Sequence, residues 1–296
     1  MRRFPFLLVD AFADKPLHGN PCAVLLDADS LTEAEMQAIA RETNQAETAF
    51  VLLSDTCDFK VRYFTPAEEI PLAGHPTLAT TCALLDTGRF QLSGDKTTLM
   101  LELKIGPIPV EITSEQGQLK RIVMVQPAPK FFATYNPLEV MPVFGLSADD
   151  LLPGYPIQTV STGTPQLMIP LQNLDALHRA QMDVTAYNAL RAKSDFFSPH
   201  LFCLSGITPE GTTFARQFGT PPDLPEDPFT GSATGGMAAY LWRYGLLEKP
   251  TFIAEQGHWM QRPGQGWVEV IGPRENIQGV RIGGTAVVIL RGELSL

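Results

Sequence analysis

Four side chains and two glycine-rich turns hold the chemical content of this sequence. Glu47 sits in Asn44-Gln-Ala-Glu-Thr-Ala-Phe50, between two apolar segments. A carboxyl group drawn partly out of water keeps its proton to higher pH, so it can take a proton from one atom and return it to another. Its neighbours alone favour the plainer reading, a glutamate exposed to water at a turn or helix end. His75 can donate a hydrogen bond or relay a proton, or it can serve structurally against a nearby carbonyl. Asp227, in Glu226-Asp-Pro228, suits a bond to a substrate amine or to His75, and also the ordinary use of Asp before Pro in a turn. Ser232 either caps a helix or binds substrate together with its own N–H.

These residues gather in or beside two related stretches. Residues 72–88 read LAGHPTLATTCALLDTG, and residues 224–245 read LPEDPFTGSATGGMAAYLWRYG. Laying Gly74 on Gly231, an offset of 157 residues, also aligns Ala73 with Thr230, His75 with Ser232 and Gly88 with Gly245. Each stretch runs from a polar turn into a small-residue helix closed by glycine, where helix ends often turn left-handed. A helix start offers free N–H groups and a partial positive charge. Two such starts facing across a cleft make a cradle for an anion such as a carboxylate. Gly74 and the run Gly231, Ser232 and Ala233 are the expected substrate-binding positions of that cradle, with His75 and Asp227 beside them.

The remaining chain must supply the strands that hold these helices. Residues 6–12, 22–26, 59–64, 97–104, 107–113 and 119–126 read as strands, with a helix over 31–41 begun by Ser30, a stretch over 44–53 that leads from that helix into another strand, and a hairpin turn at Glu115-Gln-Gly117-Gln. After Pro127-Ala-Pro129 the chain to about residue 155 reads as a loop and a domain boundary. Beyond it the order repeats. Gly163-Thr-Pro165-Gln answers Gly19-Asn-Pro21-Cys at an offset of 144, and Phe214-Ala-Arg216-Gln-Phe218 answers Lys60-Val-Arg62-Tyr-Phe64 at 154. A helix over 184–192 answers the one at 31–41, and strands at 250–255, 266–271 and 278–282 follow the second glycine-rich helix. The offset grows as loop insertions would make it grow. Residues 1–127 and 128–296 are therefore expected to form two similar halves, each with many strands around one small-residue helix. A last strand at 286–291 has no counterpart and can pack on either half.

Composition removes several classes. Thirty-two acidic residues against 22 basic leave a net charge of −10, the wrong sign for a broad nucleic-acid surface. An anionic substrate stays compatible, because local backbone dipoles outweigh net charge at a site. No segment approaches the length of a membrane span, and Asp10 and Asp14 break the N-terminal apolar run, which favours a first strand over a signal peptide. Cys22, Cys57, Cys82 and Cys203 form no CxxC pair; Cys22 and Cys82, in apolar segments, read as buried reduced thiols, and the chain as a cytoplasmic protein. GSATGG lacks dinucleotide-binding spacing, Ser232 is outside a G-x-S-x-G elbow, and the five histidines form no metal cluster.

Taken together, VDAFADKPLHGNPCAVLL, NQAETAFV, FTPAEEIPLAGHPTLAT, EDPFTGSATGG and EQGHWMQRPG resemble the PhzF-like proteins, named for phenazine biosynthesis. The resemblance runs over essentially the whole chain. It implies an α+β fold like that of diaminopimelate epimerase: two pseudo-symmetric halves, each a curled, mostly antiparallel sheet around a central helix, with the site between them. It also implies an isomerase that moves a proton without a cofactor or metal, and a homodimer. By position, Glu47 matches the family's catalytic acid/base, His75 and Asp227 its substrate-contacting residues, and Gly74 and Ser232 its positions at the helix starts. Related epimerases and proline racemases use one cysteine at each helix start. Ala73 and Thr230 stand there in this chain, so a two-cysteine racemase is disfavoured. Where the family often has GRPS this chain has Gln261-Arg-Pro-Gly264, in a region expected to shape the pocket. The expectation is a cofactor-independent isomerase of a small cyclic carboxylate, with Glu47, His75 and Asp227 catalytic; the alternative is a non-catalytic small-molecule binding protein on the same fold.

Overall fold

The computed structural model describes residues 1–296. The chain opens with β1 (Arg3–Ala11), β2 (Asn20–Leu25), β3 (Glu47–Leu52), β4 (Phe59–Phe64), β5 (Glu69–Ile70), β6 (Lys96–Leu103), β7 (Gly106–Glu115) and β8 (Gln118–Pro127). After β9 (Lys130–Tyr135) come β10 (Ile157–Ser161), β11 (Pro165–Pro170), β12 (Ser198–Cys203), β13 (Thr213–Phe218) and β14 (Glu226–Asp227). The last strands are β15 (Thr251–Gln256), β16 (Gly264–Ile271), β17 (Gly279–Gly284) and β18 (Ala286–Ser295).

From β1 to β8 the pairings are β1–β2 antiparallel, β2–β3 parallel, β3–β4 and β4–β5 antiparallel, β4–β6 parallel, then β6–β7 and β7–β8 antiparallel. β10 to β17 repeat that order step for step. A parallel pair needs a crossover, and these crossovers carry the helices. α1 (Glu33–Thr43) links β2 to β3, and α2 (Gly74–Asp86) lies between β4 and β6. Past the one-turn α3 (Pro137–Val140), α4 (Leu174–Arg179) and α5 (Val184–Arg191) link β11 to β12, and α6 (Gly231–Arg243) lies between β13 and β15.

The two runs are joined by antiparallel β8–β17 and by an exchange of strands. β9 leaves the first run and pairs with β10, whereas β18 leaves the second run and pairs with β1. The segment expected as a loop over 127–155 therefore contains a strand, and that strand is the counterpart of β18. β9 escapes notice because its alternation is weak: four of its six residues are exposed.

Local chemistry explains the ends of the elements. α1 begins two residues later than expected from Ser30, on a capping box in which Thr32 and Glu35 bond each other's backbone N–H. Gly88 and Gly245 follow the two small-residue helices at φ +69° and +72°, the left-handed conformation expected there. Gln116 and Gly117, at φ +52° and +78°, make the β7–β8 hairpin turn.

Both long helices are buried all round. α2 packs on β1, β2, β3, β8 and β18, and α6 on β10, β11, β16 and β17. This closeness requires small residues: a Cβ on Gly235 would fall 1.8 Å from Gln126 Oε1. One apolar cluster contains Leu78 and Ala79 of α2 together with Met237 and Ala238 of α6, so the core is continuous between the runs. Each two-residue strand is latched by an arginine on its neighbour. Arg62 makes a bidentate pair with Glu69 at 2.7 and 2.8 Å, and Arg216 with Glu226 at 2.9 and 2.8 Å. β5 and β14 lead directly to the starts of α2 and α6.

Candidate active site

α2 and α6 begin against each other. A Cβ on Gly74 would lie 3.0 Å from Gly231 Cα, and one on Gly231 would lie 3.4 Å from Gly74 Cα and 3.2 Å from Phe12 Cζ. Phe12 and Phe229 stack beside this contact, with ring centroids 4.2 Å apart. Neither helix has a side-chain cap: Ala73 offers no acceptor, and the Thr230 hydroxyl is turned to Asp227 Oδ2. Two positive helix ends thus sit side by side with their first-turn N–H groups uncapped, an arrangement suited to an anion.

A cavity of about 350 Å³ opens in front of them, and Glu47, Gly74, His75, Asp227, Gly231 and Ser232 all line it. Ser232 makes no cap bond, so of its two sequence readings only the cavity position is realised. Ala233 lies one residue further into the helix, fully buried and off the cavity wall. No group of three or more His, Cys, Asp or Glu side chains is arranged to hold a metal ion.

Glu47 is the first residue of β3; its side chain is 19 % exposed, unlike the solvated turn glutamate its neighbours favoured. Its Oε2 is 3.1 Å from His75 Nε2, but off the line of a hydrogen bond, and neither atom has another partner. Burial, then the charges of Asp227 and Asp223, push the Glu47 carboxyl well above the usual range. Burial pushes His75 down to about 3, so the ring is neutral and the contact with Glu47 is not an ion pair. Asp227 is pushed up to about 6 by burial, with the bonds from Thr230 and Asn20 holding it back.

Asn20 connects His75 to Asp227, and the sequence reading missed it. Its Nδ2 lies 2.6 Å from Asp227 Oδ1, 2.8 Å from the Phe229 carbonyl and 3.0 Å from His75 Nδ1. Facing an amide N–H, His75 Nδ1 presents its lone pair, which puts the proton of the neutral ring on Nε2, toward Glu47. Gln256, also missed, donates to the Asp227 carbonyl at 2.6 Å and accepts from Thr230 N–H at 3.1 Å, closing the turn before α6. The only signal for Asn20 was its place in the repeated Gly-x-Pro turn.

Arg262 acts from behind the site. Residues 261–264 do not line the cavity, contrary to expectation. Instead Arg262 bonds buried Asp10 and the carbonyls of His18 and Gly19, at 2.9 and 2.8 Å, which fixes the turn before Asn20. Cys22 and Cys82 are buried, and all four cysteines are free.

Comparison with known proteins agrees with this architecture. Residues 9–292 match the PhzC-PhzF family, described as phenazine biosynthesis-like protein. The trans-2,3-dihydro-3-hydroxyanthranilate isomerase of Pseudomonas fluorescens is 34 % identical, over 98 % of this chain and 99 % of its own. A crystal structure of a Bacillus anthracis phenazine biosynthesis protein of the PhzF family is 34 % identical, covers 100 % of both chains and superposes with a TM-score of 0.88. The hydroxyproline epimerase of Agrobacterium vitis, at 11 % identity, covers 100 % of this chain and 93 % of its own with a TM-score of 0.69, a likeness of fold alone. The fold and the family matches define a PhzF-type isomerase with an epimerase-like α+β fold. The chain belongs to the PhzC-PhzF family. No helix is long and apolar enough to cross a membrane.

Proposed function

We propose that this isomerase moves a proton between two carbons of a small cyclic carboxylate, with no cofactor, and with Glu47 as the acid/base. One observation carries the reading. Glu47 Oε2 and His75 Nε2 are both buried and unpartnered beside two uncapped helix starts, so a proton carrier and an anion cradle share one cavity.

In this scheme the substrate carboxylate lies on the N–H groups at Gly74 and at Gly231 and Ser232. The Glu47 carboxylate removes a proton from carbon, and the charge left on the substrate spreads toward the carboxylate, where the helix dipoles favour it. The same carboxyl then returns the proton to a second carbon, so no net proton or electron is lost. The raised affinity of Glu47 for a proton brings it closer to that of a carbon acid. His75 Nε2–H and Asp227, aligned through Asn20, position the substrate. The substrate of the Pseudomonas fluorescens relative, trans-2,3-dihydro-3-hydroxyanthranilate, is the first compound to try. The reading takes residues 1–127 with 286–296 as one half and 128–285 as the other, and takes the protein as a homodimer, which light scattering tests.

Proton NMR in D₂O with that compound and a panel of cyclic amino and hydroxy acids tests the chemistry. Deuterium entering carbon with wild type and not with Glu47→Gln is the expected result. Full turnover by folded Glu47→Gln sinks it. Binding without exchange in either protein would make this a binding protein instead.

A further inference from the structure

The second run of strands contributes to the cavity wall a hydrogen-bonded chain that the reaction above leaves unused. His200 is fully buried, and its Nδ1 is 2.8 Å from Gln217 Oε1. Gln217 Nε2 donates to Ser198 Oγ at 2.6 Å and to Gln166 Oε1 at 3.2 Å. Ser198 Oγ donates to Gln166 Oε1 at 2.6 Å.

The buried end fixes the direction of this chain. With Gln217 Oε1 accepting, His200 carries its proton on Nδ1 and leaves a lone pair at Nε2, which has no partner. Reversing every bond would bury an unpaired N–H there, and orphaned N–H groups are rarer than underused acceptors. Gln166 Oε1 therefore receives two bonds, and the Gln166 Nε2 amine has none within the protein. Gln166 is only 2 % exposed and lines the cavity with Ser198 and Gln217.

Register shows what this cluster replaces. Gln166 opposite Ser198 is the first pair of β11–β12, as Cys22 opposite Glu47 is of β2–β3. His200 faces Gln217 as Ala49 faces Tyr63. The position that holds a carboxyl in one run holds a hydroxyl in the other, tied to an amide oxygen whose free NH₂ group can only donate.

Resting on the isomerase reading, we propose that Gln166 determines specificity: its two amide N–H donors select substrates bearing an uncharged oxygen, hydroxyl or carbonyl, apart from the carboxylate. A second anionic group fits poorly, because Glu68, Glu69 and Asp223 also line the cavity and no Lys or Arg does.

Calorimetric titration with anthranilate and its 3-, 4- and 5-hydroxy derivatives measures this, since each derivative adds one oxygen. Wild type should bind one derivative about tenfold more tightly than anthranilate, the scale of one net hydrogen bond. Gln166→Met should lose that preference and keep its affinity for anthranilate. The side-chain amide signal of Gln166 in wild type should shift with the preferred derivative and not with anthranilate, a readout independent of how the variant folds. Equal affinities, no binding to the panel, or a preference that survives in Gln166→Met would overturn the proposal. Glu47-dependent deuterium exchange is measured separately, so the isomerase reading survives those results. An oxygen preference without any exchange would remove that reading and leave a selective binder.

Discussion

The starts of α2 and α6 share one backbone arrangement and are furnished differently. Each is an uncapped helix end with glycine as its first residue, reached through a strand of two residues latched by an arginine. Around α2 stand His75, Glu47 and, through Asn20, a fixed ring tautomer. Around α6 stand Asp227, Thr230 and Gln256, bonded to one another and to the turn. The first run places the Glu47 carboxyl on the cavity wall, and the equivalent wall of the second run holds Ser198 and two amides. The repeat has kept two uncapped helix starts, and in the proposed reading the proton chemistry stays on one side. A protein with a thiol at each helix start would work from both.

The largest effect should break that asymmetry directly. Glu47→Gln should lower proton exchange by about 10²–10⁴-fold, the usual worth of a positioned acid/base. Ser198→Ala, at the equivalent place, should lower it by less than about tenfold, mostly through KM, since it loses two neutral hydrogen bonds and no proton-transfer group. Steady-state kinetics on the same substrate compares the two. Equal losses would mean that both walls take part in proton transfer.

Next comes the contact between the helix starts. Gly74→Ala drives a methyl group to 3.0 Å from the Gly231 backbone, which has no rotamer to yield. Gly231→Ala meets mainly the Phe12 ring, at 3.2 Å. Overpacking of this kind costs about 1–3 kcal/mol. Gly74→Ala should be the worse of the two in urea unfolding, and both should weaken carboxylate binding. The reverse order would show that Phe12, already held at φ +57°, yields less than the backbone.

Asn20→Ala should follow. It removes the donor shared by His75, Asp227 and the Phe229 carbonyl, leaving buried acceptors unpaired at a cost of about 1–3 kcal/mol. If the tautomer matters, kcat falls about ten- to hundredfold with KM little changed. A change in KM alone would make Asn20 a structural residue.

What the sequence made legible was what needs only near neighbours or repetition. Gly88, Gly117 and Gly245 announce left-handed turns, and the glycine-rich stretches announce two helix starts. Asn20 was not legible, because its partners lie 55 and 207 residues away and the Gly-x-Pro turn that marks its place says nothing of them. β9 was hidden by its exposure and by the prolines before it. The Gln166–Ser198–Gln217 chain joins three strands and has no sequence pattern of its own. The family resemblance supplied Glu47, His75 and Asp227, whereas their neighbours in the chain alone established none of them.

The two sides should also separate by pH. His75 falls from 6.5 to about 3 on folding, so the unfolded chain binds the extra proton and stability is lost as pH falls through that window. Asp227 rises from 3.8 to about 6, so the folded chain holds the extra proton and stability falls as pH climbs between those values. Between pH 4 and 6, roughly, the two oppose each other. His75→Gln should therefore make the pH slope of stability more negative there, and Asp227→Asn should make it more positive. Slopes from urea melts at several pH values that move in the same direction would contradict the assignment.

The smallest contrast lies in the latches. Both arginines are partly buried and lie over a phenylalanine ring, Arg62 at 5.1 Å from Phe64 and Arg216 at 4.5 Å from Phe218. Glu69 has a second cation in Lys104 at 3.0 Å, whereas Glu226 has Arg216 alone among its ion pairs. Arg216 also donates to the carbonyls of Leu177, His178 and Ala180 at 3.1, 3.4 and 2.8 Å, where α4 ends and its acceptors need partners. A lysine keeps the charge but loses the planar fork. Arg216→Lys should cost about 1–2 kcal/mol and Arg62→Lys about half of that or less, because one loses a helix cap as well as a bidentate pair. Because β14 ends at Asp227 itself, Arg216→Lys should also lower activity slightly, and Arg62→Lys, which is one strand removed from Glu47, should not. Equal costs in urea melts would show that the α4 carbonyls find water as readily as they find Arg216, and the two latches would then be equivalent in energy as well as in place.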